Sequence, residues 1–284
     1  MTEPAPASLW SRLAVIPRAV ISGLLVGLIA ANVWPILLLE LGALGAAIAE
    51  ALFLAIYLWW ASGGGPPRTT RSARAAAFRA GPLGAGQWIW GLIAAIGFAA
   101  SVHAAIVVLF RLVPYPAAEF HKGYDLSFIP TLPLRWLAVV ISAASAGICE
   151  ETGFRGYMQQ PIERRHGPVW AIAISSVLFM LLHLNKSWST APMIPIVFAA
   201  GVLLGLIAWS SGSLIPGIIG HTLMDIGLFA FWWTGIAGAF AGRPIGETGV
   251  DPGFEIACAC LAAALAITLF AIWRLRRLRP AGQT

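Results

Sequence analysis

Long apolar segments alternate with short polar ones along most of the chain. A helix rises about 1.5 Å per residue, so an apolar run of about 20 residues crosses the roughly 30 Å hydrocarbon core of a bilayer. The pattern predicts an all-α fold, a polytopic membrane helical bundle with about eight transmembrane helices. The predicted helices lie at residues 19–39, 43–61, 87–110, 136–158, 168–184, 193–210, 213–235 and 254–273.

The composition indicates that the bilayer is the solvent of this chain. Of the 284 residues, 59% are hydrophobic and 11% are charged, whereas about 25% of residues are charged in a typical soluble domain. Little length remains for a soluble domain. We therefore expect residues 1–284 to form a single membrane domain, with a motif-bearing core at 136–235 and a basic cytoplasmic loop at 62–86.

The net charge of +6 comes from arginines in short segments between the apolar runs, which favours a role in membrane topology over nucleic-acid binding. Because positive residues are enriched in cytoplasmic connections, both termini are expected to be cytoplasmic. The Ala-, Gly- and Arg-rich composition indicates a bacterial cytoplasmic membrane. The arginines on the predicted cytoplasmic side are Arg12, Arg18, Arg68, Arg71, Arg74, Arg79, Arg155, Arg164, Arg165, Arg274, Arg276, Arg277 and Arg279.

The basic loop at 62–86 opens with glycines and prolines and continues with arginines among alanines. This pattern is typical of a flexible turn followed by a helix that lies on anionic lipid. A solvated basic loop is an equally good interpretation. The pairs Trp59-Trp60 and Trp232-Trp233 are expected in the interfacial aromatic belt.

Few ionisable side chains fall inside the predicted helices, and such residues are costly in a bilayer unless they are paired, hydrated or functional. Most of them cluster in the fourth, fifth and seventh helices. Two others, Glu50 and His103, stand without an ionisable neighbour at helical spacing. The clustered residues are Glu150, Glu151, His183, His221 and Asp225.

The spacing of these residues predicts which side chains share a helix face. Glu151 and Arg155 are four residues apart and can pair along the helix, which leaves Glu150 turned away and free to act. His221 and Asp225 also share a face. Each motif has a structural interpretation as well, namely a salt bridge at a helix end, a packing histidine and a polar clamp between helices.

Distances along the chain predict that the acid and the two histidines lie at one depth. Glu150 and His183 are about equally far from the turn signal at His166-Gly167-Pro168, so antiparallel helices place them at matching height. His221, counted from Ser213, falls at a similar level. We therefore expect one hydrated pocket beneath the inner leaflet.

Two kinds of chemistry fit a carboxylate and two imidazoles in such a pocket. In the first, Glu150 and His183 deprotonate a water that attacks a peptide carbonyl, while His221 and Asp225 face the oxyanion. In the second, a divalent metal such as zinc activates the water. Its candidate ligands are Glu150, His183, His221 and Asp225. The residues alone leave open whether any metal is used.

The motifs Glu-Glu-x-x-x-Arg, Phe-x-x-x-His and His-x-x-x-Asp occur in that order within residues 150–225. This order on membrane helices resembles the CAAX prenyl endopeptidase and bacteriocin-processing (CPBP, or Abi) family. The resemblance implies an intramembrane endopeptidase, of the metallo- or glutamate-dependent type, acting near the cytoplasmic face. It implies catalytic roles for Glu150, Glu151, Arg155, His183, His221 and Asp225.

One residue departs from the family pattern, because the eukaryotic prenyl-protein enzymes have Asn where this chain has Asp225. An ionised Asp cannot donate a hydrogen bond to an oxyanion, so a metal-ligand or His-orienting role becomes more plausible there. The expected partners are the lipid bilayer and a membrane-anchored peptide or protein substrate, with no commitment to a prenyl group. No nucleic-acid partner is expected.

Two other functional classes are compatible with the same residues. A non-catalytic peptide-binding or immunity-type membrane protein would use the polar pocket to hold a partner. An ion-coupled transporter would use the acids and histidines as a relay, although the absence of an internal repeat counts against it.

Overall fold

The computed structural model describes residue 10, residues 13–79 and residues 81–279, and within these ranges it is a helical bundle without β-strands. Arg12, which contributes to the charge pattern, lies outside the described residues. The longer helices are α1 (Val15–Ala31), α2 (Val33–Ala61), α4 (Ala85–Leu112), α6 (Leu132–Glu151), α8 (Pro168–His183), α9 (Ile194–Ser211), α10 (Ile215–Gly227) and α12 (Pro252–Leu278).

Shorter elements connect these helices. They are the α-helices α3 (Arg71–Phe78), α5 (Ala117–His121), α7 (Gln160–His166) and α11 (Ile245–Thr248), the 3-10 turns Arg68–Thr70 and Ala191–Met193, and the π-helical segments Thr152–Gln159 and Leu228–Trp233. The first π segment joins α6 to α7, and the second continues α10. A helix thus forms in the basic loop, as one of the two interpretations of that loop predicts.

Six segments of the described chain are long and apolar enough to cross a membrane. The first, Val15–Ala61, contains α1 and α2 in 47 residues, and Pro168–His183 is a shorter apolar helix. The chain is a multi-pass membrane protein, and the count of eight crossings stays a prediction. Within α2, Gly42 has φ 67° and ψ 172°, a backbone conformation open mainly to glycine. This break lies between the first two predicted helices, at 19–39 and 43–61.

Local sequence accounts for several helix boundaries. Gly167 adopts φ 86° and Pro168 starts α8, as the turn signal predicts. Gly212 ends α9 in the left-handed conformation. At α12, the Asp251 side chain accepts a hydrogen bond from the Phe254 amide at 2.9 Å, which caps the helix.

Helix packing brings distant parts of the sequence together around the motifs. α4 packs along α12 and α10, α10 packs on α6, and α8 packs on α9. α1 packs on the first π segment, and α2 packs on α6. α10, which carries two motif residues, thus packs directly on α6, and α8 joins them through α9 and the first π segment.

Polar contacts also join the basic segments at one end of the bundle. Arg79, after α3, forms an ion pair with Glu163 of α7 at 2.5 Å. Arg279, after α12, donates to the Trp209 carbonyl near the end of α9 at 2.7 Å. Arg74 donates to the carbonyls of Trp60 and Gly64, so it closes the glycine-rich turn instead of lying in solvent.

Trp232 and Trp233 do not face the surroundings of the protein, as the side chains of an interfacial belt would. The two rings are 1% and 5% exposed, respectively, and pack inside an aromatic cluster. Trp232 contacts Phe110 and Tyr115, and Trp233 stacks on Trp188. The π-helical segment that carries them turns both side chains into the protein, which hydropathy does not reveal.

Candidate active site

Glu151, the last residue of α6, lies at the centre of the motif residues. Its Oε1 accepts hydrogen bonds from Arg155 Nη1 at 2.8 Å and from His221 Nδ1 at 2.8 Å. The Glu151 and Arg155 side chains are completely buried. The pairing expected from the i,i+4 spacing is present, and the same oxygen also links α6 to α10. The sequence did not indicate this second contact.

Arg155 connects the site to two further helices. Its Nη2 donates to the Gly201 carbonyl on α9 at 3.1 Å, and its guanidinium carbon lies 4.6 Å from the centre of the Phe179 ring on α8. A charge buried this deeply needs a counter-ion, which Glu151 supplies. Arg155 therefore belongs to the interior of the site, whereas the charge pattern had placed it among the arginines of one membrane side.

His221 lies among three carboxyl groups. Because a carboxylate only accepts, the contact with Glu151 places a proton on His221 Nδ1. The other ring nitrogen, Nε2, lies 3.6 Å from Asp225 Oδ2 and 4.0 Å from Glu150 Oε2. Both distances are too long for a direct hydrogen bond and short enough for an electrostatic attraction. The ring is thus held at Nδ1, with Nε2 facing the other two acids.

Glu150 differs from Glu151 in exposure and in contacts. Its side chain is 17% exposed, whereas that of Glu151 is 0% exposed. Glu150 Oε2 has no hydrogen-bond partner among the described residues. The two neighbouring carboxyl groups therefore have separate environments: Glu151 lies inside a buried ion pair, and Glu150 lines the cavity with a buried Oε2 that has no partner among the described residues.

His183 approaches the same region from α8. Its Nδ1 lies 2.7 Å from the Phe179 carbonyl oxygen, which can only accept, so Nδ1–H is the donor. In the neutral ring, Nε2 is then an acceptor. The Phe179 ring centre lies 4.4 Å from that of His183 and 6.0 Å from that of His221, so Phe179 packs against both imidazoles.

A cavity of about 460 Å³ joins the motif residues. Its walls include four of the predicted site residues, Glu150, His183, His221 and Asp225. Glu151 and Arg155 are not among the lining residues. They are completely buried, and Glu151 contacts the lining residue His221. The structure thus brings the predicted residues together, four at the cavity wall and two beneath it.

The rest of the cavity wall is mostly apolar, with polar groups from the connections between helices. Apolar side chains come from α1, α2 and α9, and Tyr124 and Lys186 come from loops. Tyr124 accepts a hydrogen bond from Trp188 Nε1 at 3.0 Å, and burial raises the pKa of its phenol. Tyr124 therefore adds a neutral hydroxyl to a largely apolar space.

A π-helical segment follows each motif helix that carries acids. Thr152–Gln159 begins directly after Glu151, and Leu228–Trp233 begins shortly after Asp225. Such segments are uncommon and often occur at functional sites, because the wider turn re-aims side chains. No signal in the sequence predicted them.

Glycines let α1 approach the first π segment closely. A Cβ atom on Gly153 would lie 2.6 Å from the Gly23 carbonyl oxygen and 2.6 Å from Gly27 Cα. Gly23 and Gly27 form a small-xxx-small pair on α1. The spacing of Gly23 and Gly27 carries this signal, which was not part of the prediction. The contact supports the segment that carries Arg155.

The described residues include no group of three or more His, Cys, Asp or Glu side chains arranged to hold a metal ion. Nδ1 of His183 and Nδ1 of His221 both donate to protein acceptors, which leaves Nε2 of each ring without a hydrogen bond among the described residues, as in histidines that bind a metal through Nε2. The candidate ligands Glu150 and Asp225 lie with them at the cavity without forming a metal-binding group. The mechanism proposed for these residues uses only the groups of the protein and contains no metal step.

The family described as type II CAAX prenyl endopeptidase Rce1-like matches residues 131–227. The match covers about a third of the chain and contains every predicted site residue. It confirms, over this segment, the resemblance to the CAAX endopeptidase family that the motifs indicated. Searches among curated proteins and among solved structures found no similar protein.

Proposed function

We propose that this protein is an intramembrane endopeptidase that hydrolyses a peptide bond of a membrane-associated peptide or protein by means of a water activated by Glu150 and His183. The supporting observation is the cavity, which is bordered by Glu150, His183, His221 and Asp225 within a helical membrane bundle. No single motif carries this proposal. Its support is that three separate helices contribute to one cavity wall.

Water activation follows from the two acceptors at the cavity. Glu150 Oε2 has no partner among the described residues, and neutral His183 offers Nε2 as an acceptor. A water that donates one hydrogen to each is oriented with a lone pair towards a substrate carbonyl. As its oxygen bonds to the carbonyl carbon, Glu150 takes the proton, and a tetrahedral oxyanion forms.

His221 is the candidate donor to this oxyanion. In its doubly protonated form the ring donates from Nδ1 to Glu151 and carries a second N–H at Nε2, on the side of Glu150. When the carbon–nitrogen bond breaks, Glu150 passes its proton to the leaving amine, so the products are a carboxylic acid and an amine. Arg155 and His221 both donate hydrogen bonds to Glu151, so Arg155 fixes the position of Glu151, and Glu151 fixes that of His221.

Asp225 acts through His221 in this proposal. Its Oδ2 lies 3.6 Å from His221 Nε2, so an ionised Asp225 stabilises the positive charge of the ring and limits its rotation. This role resolves the difficulty that an ionised Asp cannot donate to an oxyanion. This role does not require the Asn that the eukaryotic prenyl-protein enzymes have at this position.

The proposed substrate reaches the site from the membrane. Apolar side chains of α1, α2 and α9 line much of the cavity, which suits a peptide anchored in lipid. We further propose that the whole chain is one membrane domain of a bacterial cytoplasmic membrane, with both termini in the cytoplasm and cleavage near that face. The charge pattern supports this orientation.

The test uses purified protein in liposomes and two internally quenched peptides, one a farnesylated CAAX-type peptide and one an unmodified membrane-anchored peptide. Glu150→Gln and His183→Ala are expected to lower kcat/KM by about 100-fold or more, because general acid–base groups contribute roughly 10²–10⁴. Glu40→Gln, at an exposed position, is the matched control. Binding of both peptides without cleavage would support the peptide-binding alternative and contradict an endopeptidase.

A further inference from the structure

A second acid lies inside the bundle, away from the motif residues. Glu50 on α2 is 0% exposed, and its Oε1 accepts a hydrogen bond from Ser145 Oγ on α6 at 2.6 Å. Its Oε2 has no hydrogen-bond partner among the described residues. The ion pairs of the described residues do not include Glu50. The sequence analysis had noted Glu50 only as an isolated intramembrane acid.

Helix packing alone does not explain this side chain. Burying a carboxyl group in a membrane bundle costs more than one hydrogen bond returns. An apolar side chain of similar size would join α2 to α6 at lower cost. Buried polar groups that cost more stability than an apolar residue are found mainly where they serve a function. The function of Glu50 is then to be sought in its hydrogen-bond partner among the described residues, Ser145.

Ser145 connects Glu50 to the cavity. It is a lining residue, whereas Glu50 is not. A serine hydroxyl has one donor hydrogen and two acceptor lone pairs. Since the hydrogen of Ser145 is directed to Glu50, only acceptor capacity remains for a molecule in the cavity. Glu50 thus fixes the hydroxyl so that the cavity wall presents an acceptor at this point.

The spacing between Ser145 and Glu150 along α6 can be compared with the spacing of residues in an extended peptide. Ser145 precedes Glu150 by five residues on the same helix, which corresponds to about 7.5 Å along the axis. An extended peptide advances about 3.3 Å per residue, so the two positions are about two substrate residues apart. The donor that an extended peptide carries at regular intervals is its backbone N–H.

We propose that Ser145, oriented by Glu50, forms a substrate-binding subsite that accepts a hydrogen bond from a backbone N–H about two residues from the scissile bond. Ser145 contacts the substrate, and Glu50 is a positioning residue. The proposal rests on the proposed endopeptidase function. Glu50 lies outside residues 131–227, so the pairing is not contained in the family match.

The test compares a quenched peptide substrate with analogues in which one backbone amide at a time, other than the scissile one, is replaced by an ester. An ester lacks the N–H donor. With the wild type, one ester position is expected to lower kcat/KM by about 3- to 10-fold, mainly through KM, because one hydrogen bond is lost. With Ser145→Ala, the parent peptide loses the same factor, and that ester has no further effect.

Variants of Glu50 separate positioning from packing. Glu50→Gln keeps an acceptor for the Ser145 hydroxyl, so the ester penalty is expected to persist. Glu50→Leu removes that acceptor, and most of the penalty is expected to disappear. The matched control is Ser101→Ala, a buried serine that donates to the Gly97 carbonyl and does not line the cavity. An equal penalty in the wild type and in Ser145→Ala at every position would overturn the subsite.

A binding measurement distinguishes failure of the subsite from failure of the proposed reaction. The same peptide and esters are bound to Glu150→Gln protein in nanodiscs, with and without Ser145→Ala, and followed by fluorescence anisotropy. Binding that is sensitive to one ester only when Ser145 is present, without cleavage by the wild type, supports the subsite and contradicts the peptidase. Cleavage by the wild type, together with binding that is insensitive to every ester, supports the peptidase and contradicts the subsite. Neither binding nor cleavage of any peptide overturns both.

Discussion

Replacing Glu151 by Gln is expected to destabilise the protein strongly, although the two side chains have nearly the same volume. Glu151 Oε1 accepts from Arg155 and from His221, each at 2.8 Å, and the Glu151–Arg155 pair is completely buried. The amide removes the only counter-charge that contacts Arg155 in the described structure. Removing one partner of a buried ion pair costs about 3–5 kcal/mol, and we expect a loss of this size.

A double-mutant cycle measures the cost of leaving the Arg155 charge buried without a counter-ion. Glu151→Gln/Arg155→Met removes both charges, so it should be more stable than Glu151→Gln alone, with a coupling of about 1–3 kcal/mol. It should nevertheless remain poorly active, because His221 has lost its charged acceptor. Unfolding in mixed micelles, followed by tryptophan fluorescence, measures these differences. A cost below about 1 kcal/mol for Glu151→Gln, or equal stability of the single and double variants, would refute the reasoning.

Three further predictions concern other parts of the structure. The hydrogen bond from Arg111 lowers the pKa of Asp251 from 3.8 to about 2, so the ionised Asp251 stabilises the fold above pH 4 and this stabilisation is lost as the pH falls through 2. The difference in Tm between wild type and Asp251→Asn should therefore shrink between pH 4 and pH 2, and a constant difference would contradict the pairing. Gly153→Ala places a Cβ 2.6 Å from the Gly23 carbonyl oxygen and should lower Tm and kcat, whereas Gly246→Ala, with no atom within 4 Å, should change neither. Prolonged dialysis against a chelator, checked by metal analysis, should leave kcat/KM unchanged, since the proposed mechanism activates the water with Glu150 and His183 alone. Loss of activity that returns with added metal would contradict this metal-free mechanism.

Much of the fold could be predicted because a bilayer imposes a simple pattern on the sequence. The apolar runs, the turn at Gly167 and Pro168 and the helical nature of the chain follow from length, hydropathy and backbone preferences. Boundaries were less predictable. The described helix α1 ends at Ala31, and α2 runs from Val33 through the break at Gly42, since helix ends depend on packing as much as on local sequence.

The site was predictable as far as helical spacing reaches. The pairing of Glu151 with Arg155 is a contact within one helix, and the spacing indicates it directly. The contact of Glu151 with His221 joins residues that are 70 positions apart and depends on how α6 and α10 pack. The same holds for Glu50 and Ser145, which are 95 positions apart. Such contacts leave no periodic signal in one sequence.

Other features escaped prediction for a different reason. The π-helical segments after Glu151 and Asp225 alter which side chains face inwards. A regular 3.6-residue repeat therefore assigns the wrong side chains to the protein interior in these segments. Trp232 and Trp233 were expected at the membrane interface because tryptophan is enriched there, whereas both side chains lie inside the protein. The approach of α1 through Gly23 and Gly27 had a readable signal, and its importance became clear only from the contact with Gly153.

The most direct test of the proposed reaction traces the oxygen of the attacking water. Wild-type protein in liposomes cleaves a membrane-anchored peptide in water enriched in heavy oxygen, and mass spectrometry follows the new carboxyl terminus. The account predicts that one solvent oxygen enters that carboxyl group and that Glu150→Gln slows its incorporation by about 100-fold or more. Incorporation by Glu150→Gln at the wild-type rate would contradict the role of Glu150 as the base that activates water.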